Sequence, residues 1–139
     1  INLKIMIMKQ IYLMMTLVFV MIVSCTRDVV VTTEEPEQIT SNSAVLKGSA
    51  TGDNIKDKGI LYCQCETPEI NQVGPAWPGW QLKISDGPGS GNFSFDVDLF
   101  ESNTKYYVRA YAVTDKDVFY GEIFSFVTNP TEVGYINGY

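Results

Sequence analysis

The chain has 139 residues, of which 45% are hydrophobic, and this length suits one domain. Sixteen acidic residues against ten basic ones give a net charge of −6, which argues against nucleic-acid binding because that needs a basic face for the phosphates. The absence of histidine excludes histidine-based triads, histidine-ligated zinc and histidine pH switches.

Residues 1–24 have the organisation of a secretory signal peptide. Lys4 and Lys9 precede an apolar run from Ile11 to Val23, and the segment contains no acidic residue. The run is shorter than the about 20 residues that a helix needs to cross the hydrocarbon core. A positive start, a short apolar region and a small residue before the cleavage point are typical of a signal peptide.

The residues Ile22-Val23-Ser24-Cys25 resemble the lipobox of bacterial lipoproteins. In that family the cysteine receives a diacylglycerol, the peptide is cut before it, and the new amine is usually acylated. The resemblance implies lipidation at Cys25, a palmitate-bearing membrane anchor and a location in the cell envelope. Thr26 stands where Asp marks inner-membrane retention in some Gram-negative bacteria, so the outer membrane is favoured. The alternative is an ordinary signal peptide in which Cys25 is a chance neighbour.

The rest of the chain has the pattern of short strands. Residues 25–38 are mostly polar and are expected to form the lipidated cysteine and a tether that leads into a first edge strand. Apolar residues then alternate with polar ones with a period of two, which predicts strands over parts of 44–49, 60–63, 93–98, 106–112 and 120–126. Turn residues separate these segments at 51–54, 86–91, 102–103 and 115–117. About seven strands in roughly 100 residues is typical of an immunoglobulin-like β-sandwich.

Residues 100–112 resemble the turn and strand that carry the conserved tyrosine of fibronectin type III domains. The family pattern there is Leu-x-Pro-x-Thr-x-Tyr-x-Val-x-Ala-x-Ala. Phe100 stands for the Leu and Ser102 for the Pro. The positions that match are Thr104, Tyr106, Val108, Ala110 and Ala112.

Three further stretches, 39–48, 58–62 and 120–128, resemble the version of this domain that is common in bacterial envelope lipoproteins. The resemblance spans residues 29–128 and implies an all-β sandwich of about seven antiparallel strands, with a tail or the start of a linker at 129–139. It also implies that Tyr106 is a tyrosine corner, with its ring in the core and its hydroxyl bonded to the chain just upstream.

Cys63 and Cys65 lie two residues apart, so on a strand their side chains point to the same face. A bridge between them would strain an extended backbone, and two cysteines without further ligands make a poor zinc site. We expect two thiols on the outer face that neighbouring side chains cover. A strained disulfide and an intermolecular disulfide are the alternatives.

Trp77 and Trp80 lie in a proline-containing stretch between the third and fourth strands. They form either a stacking platform for sugars or a protein partner, or a cap in which the rings fold back onto the sandwich edge. The cap is slightly favoured, because large aromatic side chains usually bury what they can. The candidate ligand contacts are Trp77, Trp80, Tyr107 and Tyr111.

The carboxylate pairs Asp96/Asp98 and Asp115/Asp117 are expected to be solvated, with weak calcium binding at the second pair as an outside alternative. The sequence thus predicts no catalytic residue, no metal and no cofactor. It predicts a non-catalytic, lipid-anchored envelope protein that binds glycan or protein or acts as a spacer. The alternative is an accessory fragment of a larger surface enzyme such as a polysaccharide hydrolase.

Overall fold

The computed structural model describes residues 2–20, 25–72 and 81–133, with the backbone alone for 14–20 and 72. Helix α1 (Asn2–Val20) lies within the predicted signal peptide. Among the residues described, no helix is both long and apolar enough to cross a membrane.

Strands make up most of the described residues after Cys25. They are β1 (Val30–Thr33), β2 (Ala44–Thr51), β3 (Asp57–Cys63), β4 (Leu82–Gly87), β5 (Gly91–Val97), β6 (Lys105–Val113) and β7 (Val118–Val127). One sheet has the order β1-β2-β5 and the other β4-β3-β6-β7, and every pairing is antiparallel. The predicted sandwich of seven antiparallel strands is confirmed for the described part of the chain.

The core lies between the two sheets and follows the alternation seen in the sequence. On β2, Ala44, Leu46, Gly48 and Ala50 are buried, while the alternate residues Val45, Lys47 and Ser49 are partly exposed. The buried apolar residues that β5 and β6 contribute to this core are Phe93, Val97, Tyr106, Val108, Ala110 and Ala112. Burying a large aliphatic or aromatic side chain contributes about 1.5–3 kcal/mol, so this layer is the main source of stability.

Tyr106 joins the start of β6 to the turn before it. Its ring is 7% exposed and lies 4.7 Å from Phe100 and 5.8 Å from Phe126, measured between ring centroids. Its hydroxyl accepts a hydrogen bond of 2.9 Å from the backbone N–H of Glu101. The bond to the chain five residues upstream is the one that the sequence predicts for Tyr106.

The short strand β1 contacts both sheets. β1 pairs with β2 in the three-stranded sheet. In the other sheet, the register between β6 and β7 shifts between Arg109 and Tyr111, which leaves the Ala110 N–H without a partner on β7. This N–H donates a 2.9 Å hydrogen bond to Thr33 Oγ1 of β1. The approach is close: a Cβ on Gly121 of β7 would lie 2.7 Å from the Thr33 backbone nitrogen, so that position accepts only glycine without movement. Thr33 therefore fixes the end of β1 against the second sheet.

Consecutive strands run in opposite directions, so the loops that connect them lie at two opposite ends of the sandwich. Residues 52–56, 88–90 and 114–117 form one end, which we call the Arg27 end. Arg27 N–H donates to Asp53 Oδ2 at 2.9 Å, so the chain joins the sandwich only two residues after Cys25. Gly52, with φ of 134°, is also needed here, because a Cβ would lie 2.8 Å from the Val29 Cα. The opposite end contains 34–43 and 98–104.

Replacing Tyr106 tests whether it holds β6 to the core. We expect Tyr106→Ala to lower the free energy of unfolding by about 3–5 kcal/mol, as for a large aromatic removed from a core. Tyr106→Phe keeps the ring and loses only the bond to Glu101, which costs about 0.5–1.5 kcal/mol. Urea denaturation measures both, and an unchanged midpoint for Tyr106→Ala would contradict this role.

Candidate functional site

Residues 64–72, which we call the cover segment, lie on the outer face of the four-stranded sheet. Arg109 Nη1 donates to the Pro68 carbonyl at 3.5 Å, and the Ile70 N–H donates to the Tyr120 hydroxyl at 3.0 Å. Beneath this segment, β3 is buried on both faces, and its outward-pointing Leu61 and Cys63 have no exposed surface. This face of the sheet is therefore not an ordinary solvated surface.

Cys63 and Cys65 form a disulfide at the start of the cover segment. The expectation of two separate thiols is wrong, because β3 ends at Cys63 and the chain then bends over residues 64–67. The bend brings the two Cα atoms to 5.1 Å, within the range that a disulfide needs. The disulfide fixes the direction in which the cover segment leaves the sheet.

Gln81 holds the other end of this region. Its side chain is 1% exposed and makes two hydrogen bonds with the main chain of Glu69: the Glu69 N–H donates to Oε1 at 2.9 Å, and Nε2 donates to the carbonyl. The side-chain amide thus makes the two backbone hydrogen bonds with Glu69 that a neighbouring strand would make. As a result, the cover segment, which precedes residues 73–80, is bonded through Glu69 to Gln81, which follows them.

Arg109 connects the cover segment to β7. Its Nε donates to the Gly121 carbonyl at 3.1 Å, and its guanidinium lies 4.2 Å from the centroid of the Tyr120 ring. That distance is within the range of a cation–π interaction. Arg109 and Tyr120 therefore contact each other and bond to the cover segment at Pro68 and Ile70.

Tyr111 belongs to a polar cluster on the same sheet, nearer the Arg27 end. Its hydroxyl donates to Asp57 Oδ2 at 3.0 Å, and Lys83 Nζ lies 2.7 Å from the same oxygen. Ser85 donates to the other carboxylate oxygen. Burial alone raises the pKa of Asp57, but the bonds from Lys83, Ser85 and Tyr111 outweigh it and hold the pKa below its usual value. Burial, and then the bond to Asp57, raises the pKa of the Tyr111 hydroxyl.

The four candidate ligand contacts are not brought together as one surface in the described residues. Trp77 and Trp80 lie outside the part of the chain that the structure describes. Tyr107 is partly exposed on the outer face of β6, with Lys105 Nζ 5.2 Å from its ring centroid. Tyr111 has no exposed surface, so it offers nothing for a ligand to contact directly, and the prediction of a contact there is corrected to a structural role.

The carboxylate pairs lie at opposite ends of the sandwich. Asp115 and Asp117 are exposed in the turn after β6, and Asp115 pairs with Lys56 at 3.4 Å. Asp96 and Asp98 are exposed beside an open cavity of about 330 Å³, next to Thr40 and other residues of 38–45. In the described ranges, no group of three or more His, Cys, Asp or Glu side chains is placed to hold a metal ion.

Sequence reasoning missed the residues that build this face. Gln81 looks like one polar residue between two apolar ones, and its two bonds to Glu69 come from a contact twelve positions away. Asp57 and Lys83 belong to different strands, and only the pairing of β3 with β4 brings them together. The disulfide had a sequence signal in the Cys-x-Cys spacing, but its formation depends on the bend after Cys63.

No protein-family model matches the chain, and a search of the curated proteins also finds no match. Solved structures that resemble it include two of the sensor domain of the anti-sigma factor RsgI4 from Pseudobacteroides cellulosolvens. The solution structure has a TM-score of 0.53 and 18% identity, covering 76% of this chain and 78% of that one. The other has a TM-score of 0.51 and 19% identity, covering 76% and 93%. At these identities the likeness shows a common β-sandwich fold.

Gln81→Leu tests whether Gln81 holds the cover segment. The change keeps most of the side-chain volume but leaves the Glu69 N–H and carbonyl without partners, so we expect a loss of about 1–3 kcal/mol of stability. For a domain of this size, each kcal/mol lowers the melting temperature by about 4–8 °C. Gln64→Leu, at an exposed position of the same segment, is the matched control. Equal melting temperatures for the two variants would contradict the role of Gln81.

Proposed function

We propose that the protein is a non-catalytic, lipid-anchored protein of the bacterial cell envelope whose sandwich, of the fibronectin type III class, binds a glycan or a protein. The tyrosine corner at Tyr106 supports the class, because the bond to Glu101 is the feature that the resemblance implies. The outer membrane is the proposed location, on the basis of Thr26.

The proposed anchor rests on the lipobox-like residues 22–25. The position of Cys25 is compatible with it, because the side chain is exposed and lies two residues before Arg27, whose N–H bonds to Asp53. One acyl chain holds a protein only marginally, whereas two or more hold it stably. A cysteine that carries a diacylglycerol and an acylated amine would keep the sandwich at its membrane.

The observation that carries the proposed binding role is the fixed cover segment. Residues 73–80, which contain both tryptophans, lie between Gln72 and Gln81 in the chain, and both flanking regions are held on the outer face of the sheet. A segment whose ends are already ordered loses less entropy when it binds. Trp77, Trp80 and Tyr107 are the proposed contacts, and the apolar side of a sugar suits such rings.

The anchor is tested by metabolic labelling with palmitate in a bacterial host. The native chain should incorporate the label, and Cys25→Ser should abolish it, because the acceptor thiol is lost. Thr26→Ser should label normally as the neighbouring control, and Thr26→Asp should move the labelled protein toward the inner-membrane fraction. Undiminished labelling of Cys25→Ser would show that Cys25 is not the site.

The binding role is tested on the tryptophans, with a ligand chosen from a glycan array probed with the purified mature chain. Trp77→Ala and Trp80→Ala should each weaken retention by about 1 kcal/mol or more, while the melting temperature stays nearly unchanged. A melting temperature lowered by several degrees without loss of retention would contradict binding. That result would favour the cap, and with it the spacer role.

A further inference from the structure

We infer that the Arg27 end of the sandwich lies against the lipid headgroups and that the opposite end points away from the membrane. This inference rests on the proposed lipidation of Cys25. It goes further by assigning a membrane-facing surface to residues 52–56, 88–90 and 114–117.

The length of free chain is the first support. Only Thr26 separates Cys25 from Arg27, whose N–H bonds to Asp53 at 2.9 Å and whose carbonyl accepts from the Asp53 N–H at 3.4 Å. Successive Cα atoms are about 3.8 Å apart, so Arg27 lies within about 8 Å of the anchored residue. The predicted tether of residues 25–38 is thus ordered from Arg27 onward, and the sandwich has little room to move away from its anchor.

The second support is that the Arg27 end is one connected surface. Ser90 Oγ donates to the Gly52 carbonyl at 2.7 Å, and the Gly89 N–H donates to the Ile55 carbonyl at 3.0 Å. The Lys56 N–H donates to the Val113 carbonyl at 2.7 Å, which brings in the end of β6. The loops therefore move with the sandwich, and holding Arg27 near the membrane holds all of them there.

The distribution of charge favours an upright orientation over one in which the sandwich lies flat. Removing residues 1–24 takes away Lys4 and Lys9 and no acid, which leaves the mature chain at −8. At the Arg27 end the charges nearly balance; they are Arg27, Lys56 and Lys116 against Asp28, Asp53, Asp115 and Asp117. Most of the negative charge therefore lies on the sides and the opposite end. Anionic headgroups repel those surfaces more than they repel the Arg27 end.

The experiment compares two single fluorophores on the full lipidated chain in vesicles of phosphatidylethanolamine and phosphatidylglycerol with a nitroxide on the headgroup. Lys116→Cys places a thiol-reactive label at the Arg27 end, and Ser102→Cys places one at the opposite end; both positions are exposed. The nine residues of β6 separate the two ends by about 30 Å. We expect at least about twofold stronger quenching at position 116, because that label lies about 30 Å nearer to the nitroxide-bearing headgroups.

A linker of about 20 Gly and Ser residues inserted after Thr26 is the matched control, since it gives the sandwich about 25 Å of free reach and should remove the difference. Palmitate labelling is measured on the same samples. If palmitate is present and the two sites are quenched equally, or site 102 more strongly, the orientation is wrong while the anchor stands. If palmitate is absent, the proposed anchor fails, and the orientation fails with it.

Discussion

The hydrogen bond from the Ala110 N–H to Thr33 Oγ1 is the interaction on which the arrangement of the molecule depends. β1 has only four residues and lies at the edge of its sheet, so its pairing with β2 alone would hold it weakly. The register shift in β6 frees the Ala110 N–H inside the protein, where an unpaired donor would cost about 1–3 kcal/mol. Thr33 meets that need, and Gly121 lets the two backbones approach. β1 is thereby tied to both sheets, and the bonds between Arg27 and Asp53 tie the chain that precedes it to the Arg27 end.

The alternation in β2, β5 and β6 was readable from the sequence because each of these strands has one face in the core and one mainly polar face. Tyr106 was readable for a similar reason, since its bond partner is only five residues away. The role of Thr33 could not be predicted from the sequence, because the residue lies in a mostly polar stretch typical of a tether and its partner is 77 positions away. The buried outer face of β3 was not readable either, since the contacts of Pro68 with Arg109 and of Glu69 with Gln81 are set by the folded chain and not by local pattern.

These features give the sandwich a direction and one specialised face. The chain from Cys25 joins the sandwich at the Arg27 end, and the cover segment lies on the outer face of the four-stranded sheet. In the proposed function, a module held upright at a membrane presents that face sideways, where a ligand or a partner can approach it. The disulfide, Gln81 and Arg109 then serve to keep the surroundings of residues 73–80 in place.

The most direct test is amide hydrogen exchange at Ala110, because the bond from its N–H to Thr33 Oγ1 holds β1 against β6. We expect the Ala110 N–H to exchange as slowly as those of Val108 and Ala112, although it lies at the register shift. Thr33→Val should speed its exchange about tenfold, which corresponds to the loss of one hydrogen bond, while Thr32→Val at the exposed neighbour should not. Fast exchange at Ala110 in the native chain, or no change in Thr33→Val, would contradict the claim that Thr33 holds β1 to the second sheet.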